Sequence, residues 1–314
     1  MMDPFAAAPR RVTLCEVGPR DGLQNEPQAI AVDDKVQFCD LLSAAGVPML
    51  EAGSFVSPAA VPQMADAEQV FARIERFAGC RYLALCPNER GLDRALAAGV
   101  EAIGVFTAAS DAFARANIRM SIDESLAVIG RVIRRAKEHG LWVRASVSTA
   151  FGCPFSGAVP LEAVVRVCAR LLDAGADQLS VADTIGVGTP NQVVDIVGAL
   201  EALVPAGALA LHFHDTRGTA LANALTGLAL GVRTFDSAAG GLGGCPFAPG
   251  ATGNGATEDL VSALHGMGIE TGIDLTKLRT ASRFIAAKLG HAPISRAYTA
   301  LEAAEPCVTV PGAI

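Results

Sequence analysis

Along this chain, apolar runs of strand length alternate with longer segments in which apolar residues recur every three or four positions. The boundary between the two patterns repeats. "SAAGVPML", "FAGCRYLAL", "LAAGVEAIGVF", "KEHGLWVRASV", "LDAGADQLSV", "VPAGALALHF" and "LALGVRTFDSA" place a helix-like segment, a glycine and then a β-rich run. The glycines are Gly46, Gly79, Gly99, Gly140, Gly175, Gly207 and Gly231. A glycine just past a helix end supplies the left-handed residue that ends a helix at little cost. The "VPAG" junction is less regular because Pro205 interrupts the helix before it. An opening run, "RVTLCEV", adds a first strand, so the pattern predicts eight strands. Helices are expected between them, at about 33–45, 64–77, 88–98, 121–138, 159–173, 190–203, 217–229 and 256–267.

Eight strand–helix units in about 250 residues point to an α/β chain folded as a (β/α)8 TIM barrel. An open doubly wound sheet is the alternative, but "EVGPRDG" after the first strand lacks the G-x-G-x-x-G spacing of its nucleotide loop. No linker or charge block divides the chain. One catalytic domain is expected over 1–314, with the barrel at about 12–270 and additional C-terminal helices over about 271–314, "LTKLRTASRFIAAKLG" among them.

Composition narrows the classes. Hydrophobic residues make up 51% and charged residues 18% of the 314 residues, which suits a well-buried core. The net charge of −7 gives no basic footprint for nucleic acid, and no apolar run is long enough to span a membrane. "MMDPFAAAPRRV" has no secretory pattern, so a cytoplasmic protein is expected. The eight cysteines form no C-x-x-C pair; several sit in apolar runs and read as small buried residues in a reducing compartment.

In such a barrel the chemistry lies at the C-terminal ends of the strands. The polar residues there are Glu16, Arg20, Asp21 and Gln24 after strand one; Glu51 and Ser54 on strand two; Arg144, Ser146 and Ser148 on strand five; Ser180, Asp183 and Thr184 on strand six; His212, His214 and Asp215 on strand seven; and Cys245, Asn254 and Glu258 after strand eight. Strands three and four end almost without polar groups. Of these rim residues, Gln24, Ser54, Arg144 and Ser180 are expected to touch substrate, with Arg20.

Alternation along a strand puts His212 and His214 on one face. Two core histidines would fit that pattern; so would a two-nitrogen metal site. Asp21 falls at the equivalent rim of strand one, beside strand eight in a closed barrel, and Asn254 follows strand eight. Two imidazoles, a carboxylate and an amide oxygen suit Mg²⁺ or Mn²⁺ with open positions, and the lack of thiolate argues against structural zinc. Asp215 has the opposite parity and is expected to start the next helix. Cys245, in "GGLGGCPFAPG", is either a turn cysteine or a thiol on a closing loop hinged by glycines.

Longer motifs then resemble a known family. "EVGPRDGLQNE", "SFVSP", "GCPFSG", "DTIGVGTP", "HFHDTRGTALAN" and "GGLGGCPFAPGATGNGATEDLV" are similar in kind and order to the hydroxymethylglutaryl-CoA lyases, metal-dependent enzymes on a (β/α)8 barrel. The resemblance runs from about residue 12 to about 290. It implies an acyl-CoA substrate and a divalent-metal-dependent retro-Claisen cleavage of 3-hydroxy-3-methylglutaryl-CoA to acetyl-CoA and acetoacetate, as in leucine degradation. It implies Asp21, His212, His214 and Asn254 as ligands of Mg²⁺ or Mn²⁺, with Glu258 close behind them. It further implies Arg20 on the thioester oxygen, Glu51 positioning that arginine, and Cys245 and Asp183 in catalysis. The base that takes the hydroxyl proton is Asp183 or His212. A homodimer or higher homo-oligomer is expected. Pro27, Arg217 and Gly255 stand where the family often has a lysine, an aromatic and a leucine, which bears on CoA contacts and acyl size. Two further enzymatic readings remain: a lyase for a related 3-hydroxy-3-substituted glutaryl-CoA, such as the isohexenyl ester, and a condensing synthase of the isopropylmalate or homocitrate type.

Overall fold

Eight parallel strands close on themselves in chain order, with β1 paired to both β2 and β8. They are β1 (Thr13–Glu16), β2 (Met49–Ser54), β3 (Arg81–Leu85), β4 (Ala102–Ala108), β5 (Trp142–Ser148), β6 (Gln178–Asp183), β7 (Leu209–Phe213) and β8 (Thr234–Ser237). The computed structural model describes residues 5–204, 206–244 and 253–304. The expected (β/α)8 barrel is therefore the architecture found.

The wrapping helices are α1 (Val32–Ala44), α2 (Ala67–Arg73), α3 (Glu89–Ala97), α4 (Asp111–Ile118), α5 (Ile122–Glu138), α6 (Leu161–Asp173), α7 (Pro190–Leu200), α8 (Ala220–Ala229) and α9 (Thr257–Gly266). Two more follow, α10 (Leu275–Leu289) and α11 (Arg296–Ala303). Six of the seven junction glycines have positive φ, from +68° at Gly99 to +106° at Gly175. Gly207 differs because it lies in a tight turn, Ala206–Ala208, that runs straight into β7.

Three details depart from the sequence pattern. Helix α4 had no predicted counterpart. It spans only eight residues and ends on Arg119 at φ +57°, so no glycine marks its end. Helix α11, eight residues long, lies beyond the periodic segments singled out. Helix α2 is shorter than expected, because Pro62 opens a separate turn, Pro62–Met64, before the helix begins.

Strand parity sorts the side chains. In register, β7 places His212 beside Ala182 of β6 and Asp236 of β8, and all three face the barrel cavity. Their chain neighbours face the helices. Phe213 packs edge-on against Phe151 at 5.4 Å between ring centres, and a Cβ on Gly227 of α8 would collide with Leu211. The outward face is apolar and the inward mouth is polar, so one strand serves core and cavity at once.

Beneath the mouth, two fully buried carboxylates brace the backbone. Glu16 accepts from the N–H of Gly18 at 2.8 Å and of Ala239 at 2.9 Å, and from the Thr257 hydroxyl at 2.6 Å. Glu258 accepts from the Gly240 N–H at 2.9 Å and from the Ser282 hydroxyl. Burial pushes both carboxyls from 4.5 up to about 7, against the pull of these donors. An acid raised in the folded state titrates first in the unfolded chain. Its stability contribution is therefore complete below about pH 4.5 and falls as pH rises to about 7. Glu16→Gln removes one such titration. Relative to the parent, that variant should gain on the order of 2 kcal/mol of stability between pH 5 and pH 7.5, read from urea unfolding at each pH. A stability difference that does not change with pH would show that Glu16 is ionised throughout.

Candidate active site

The chain leaves β1 into a π-helical turn, Gly18–Gly22, in which the N–H groups of both Asp21 and Gly22 reach the Val17 carbonyl, at 2.7 and 3.1 Å. Such wide turns concentrate at functional sites because they re-aim consecutive side chains. Here Arg20 and Asp21 both line the cavity. Arg20 Nη1 donates to Asp21 Oδ1 at 2.6 Å, and its Nε donates to Glu51 Oε2 on β2 at 2.6 Å. The guanidinium is thus held by two carboxylates with its plane fixed.

Asp21, His212 and His214 offer ligand atoms that all lie within 4.8 Å of one another. The two imidazole rings are 5.1 Å apart, and His214 Nε2 is 3.6 Å from Asp21 Oδ2. Asn254 joins them through the backbone. Residues 253–255 lie against the end of β7, with Asp215 N–H on the Gly253 carbonyl at 2.9 Å and Gly255 N–H on the Phe213 carbonyl at 3.0 Å. The Asn254 amide donates to Asp21 Oδ2 at 3.1 Å and to the Leu242 carbonyl at 2.9 Å. Its Oδ1 is buried with no hydrogen-bond partner among the described residues, as is Nδ1 of His214. An orphaned buried acceptor beside a carboxylate and two imidazoles is what a bound cation would satisfy. The donor set of two nitrogens, a carboxylate and an amide oxygen fits a hard or borderline divalent ion.

Electrostatics keep the cluster ready. Burial alone would raise the Asp21 carboxyl, but Arg20 and the two histidines overcome it and hold it well below the usual carboxylate range. Glu51 is raised, because its burial outweighs the same arginine. Burial opposes a charge on His212, yet its contact with Asp236 leaves it above the ordinary histidine value.

That aspartate was absent from the sequence-derived rim residues. Asp236 lies inside β8 and faces the cavity. Its Oδ2 is 3.1 Å from His212 Nδ1 and accepts from the Ser180 hydroxyl at 3.3 Å. Its Oδ1 accepts from Arg144 Nη2 at 2.5 Å. Asp236 has the parity of Thr234, and the register to His212 would have revealed it.

The cavity above these groups measures about 390 Å³. Gln24, Arg144, Ser146, Ser148, Ser180 and Thr184 line its polar side. Leu83 and Leu85 of β3, Phe106 of β4 and Phe113 of α4 line the other.

Several sequence expectations fall elsewhere. Ser54 is fully buried outside the cavity wall, its hydroxyl 3.5 Å from the Leu85 carbonyl. Asp183 has the outward parity of β6: Oδ1 accepts from Val187 N–H at 3.0 Å and Oδ2 from Gly188 N–H at 2.7 Å. It shapes the loop after β6 and is not among the residues lining the cavity. Glu258 braces Gly240 and Ser282 and makes no contact with the ligand cluster. Asp215 accepts from Ala220 N–H at 2.9 Å at the start of α8, as its parity predicted. Cys245 lies outside the described residues.

Known proteins give this geometry a family. The HMGL-like family model matches residues 11–285. The hydroxymethylglutaryl-CoA lyase of Pseudomonas mevalonii is 49% identical over 292 residues, which is 93% of this chain and 97% of that one. The crystal structure of hydroxymethylglutaryl-CoA lyase from Pseudomonas aeruginosa superposes with a TM-score of 0.93 at 47% identity, over 95% of this chain and 99% of that one. An HMG-CoA lyase from Acinetobacter baumannii, solved with coenzyme A and 3-methylmalate, covers 100% of both chains at 38% identity with a TM-score of 0.89. The barrel, its Asp–His–His mouth and a likeness that runs almost from end to end converge: this chain belongs to the HMGL-like family, that of the hydroxymethylglutaryl-CoA lyases.

Proposed function

We propose that this carbon–carbon lyase cleaves 3-hydroxy-3-methylglutaryl-CoA to acetyl-CoA and acetoacetate, with Mg²⁺ or Mn²⁺ held by Asp21, His212, His214 and Asn254. The observation that carries the reading is the juxtaposition of that ligand set with a carboxylate-clamped Arg20 on one cavity wall. When bound, the cation supplies Lewis acidity that lowers the pKa of the C3 hydroxyl.

The chain's own residues do the rest. Cleavage of the C2–C3 bond leaves enolate charge on the thioester oxygen, and Arg20 is the fixed cation able to receive it. Glu51 and Asp21 hold the guanidinium in one orientation, so no reorganisation is needed as that charge develops. Of the two candidate bases, Asp183 has both oxygens on backbone N–H groups away from the cavity, and His212, with Nε2 given to the cation and Nδ1 on Asp236, has no lone pair left to take a proton. Cys245, in the glycine-rich sequence that follows β8, is the proposed donor of the proton that converts the enolate to acetyl-CoA.

Purified protein with added Mg²⁺ or Mn²⁺ should release acetoacetate from 3-hydroxy-3-methylglutaryl-CoA. Release from the isohexenyl ester alone would move the assignment to the related lyase, and free thiol from acetyl-CoA plus a 2-oxo acid would move it to the synthases. No acetoacetate with any divalent metal sinks the reading. Cys245→Ala should lower kcat by about 10²-fold or more while Mn²⁺ affinity stays within about twofold. Unchanged turnover removes the thiol from the mechanism. His214→Ala should weaken Mn²⁺ binding at least about tenfold by calorimetry, and full affinity would take it out of the ligand set.

A further inference from the structure

His212 has two ring nitrogens, and the barrel decides which one carries the proton. Nδ1 lies 3.1 Å from Asp236 Oδ2. A carboxylate oxygen can only accept, so this contact requires a proton on Nδ1 and leaves the lone pair on Nε2. The contact is itself anchored. Asp236 Oδ1 holds Arg144 Nη2 at 2.5 Å, and Ser180 donates to Oδ2 at 3.3 Å. Arg144 comes from β5 and Ser180 from β6, so three strands besides β7 fix the orientation of one imidazole. The carboxylate and guanidinium are almost fully buried, with side chains 7% and 5% exposed. Arg144 was expected to touch substrate. Its guanidinium instead turns to Asp236, with the Met49 sulfur 3.9 Å away and Nε buried without a partner among the described residues.

We propose that Asp236, clamped by Arg144, is a positioning residue that locks His212 in the Nδ1–H tautomer and presents its Nε2 lone pair to the Asp21–His214 cluster. Arg144 and Asp236 then serve the cation site rather than the substrate. The proposal rests on the metal reading above, and it adds the partner that orients the ligand. Carboxylate–histidine–metal arrangements work in this way: the outer acceptor fixes the ring and its tautomer, and its loss costs about 10–100-fold in metal affinity.

Two measurements test it. In metal-free protein labelled with ¹⁵N-histidine at pH 8, His212 should show a protonated Nδ1 and a bare Nε2. In Asp236→Asn that signature should be lost. An Nε2–H form in the parent overturns the proposal whatever the metal does. By calorimetry without substrate, Asp236→Asn and Arg144→Met should each bind Mn²⁺ at least about tenfold more weakly than the parent, with circular dichroism and Tm confirming the fold. A substrate-contact role for Arg144 predicts the reverse: Mn²⁺ affinity within twofold and a raised KM. That outcome overturns the proposal while leaving the metal reading intact. A parent that binds no Mn²⁺ overturns the metal reading and the proposal with it. Should neither variant fold, the tautomer of the parent still decides.

Discussion

One buried anion organises the mouth of this barrel. Asp21 must stay ionised where burial favours the neutral acid, and isolated carboxylates in such places take up a proton instead. The chain prevents this by placing Arg20 next to it in sequence and His212 and His214 opposite it in space. Adjacent residues on an ordinary helix point about 100° apart and would not share a cavity. In the π-helical turn after β1 Arg20 and Asp21 nevertheless both line the cavity, and Glu16 pins the turn from below through Gly18. Asp21 can therefore offer one oxygen to Arg20 and the other to the ligand cluster. The arginine proposed to meet developing negative charge and the carboxylate proposed to hold a cation are joined by one hydrogen bond.

A second anion, Asp236, sits deeper and answers to a second arginine. Burying an ion pair brings little net stability, because desolvation offsets much of the attraction. The Arg144–Asp236 pair is thus better explained by what it orients than by what it stabilises. The opposite wall of the cavity, from β3 and β4, carries no charge.

Most of the fold was legible because barrel closure imposes two strict periods on the sequence. Glycine-marked junctions located the strands, and alternation along β7 separated His212 and His214 from Phe213 and Asp215. The same rule, applied to β6, sends Asp183 outward with Val181 while Ser180 faces the cavity. Applied to β8, it brings Asp236 inward with Thr234. Reading only strand ends credited Asp183 to the site and passed over Asp236, which lies within its strand. Ser54, three residues after cavity-facing Glu51, has the opposite parity, so the same count would have kept it off the cavity wall. Arg119 ends α4 without glycine, so only its start, the Ser110 cap followed by Asp111, carries a local signal.

Close packing explains several glycines around the end of β8. Gly243 has φ +122°, and a Cβ there would come within 2.6 Å of the Asn254 amide nitrogen. Gly253 has φ +101°, and its Cβ would meet the Gly241 carbonyl oxygen at 2.5 Å. Both positions exclude a side chain because two backbone segments converge on Asn254 from either side. These glycines are packing residues of the candidate metal site. Gly244, by contrast, has open space around it, and its carbonyl accepts from Asn25 Nδ2 at 3.0 Å. What the glycines secure is the register between Asn254 and β7, without which the amide would not lie beside Asp21.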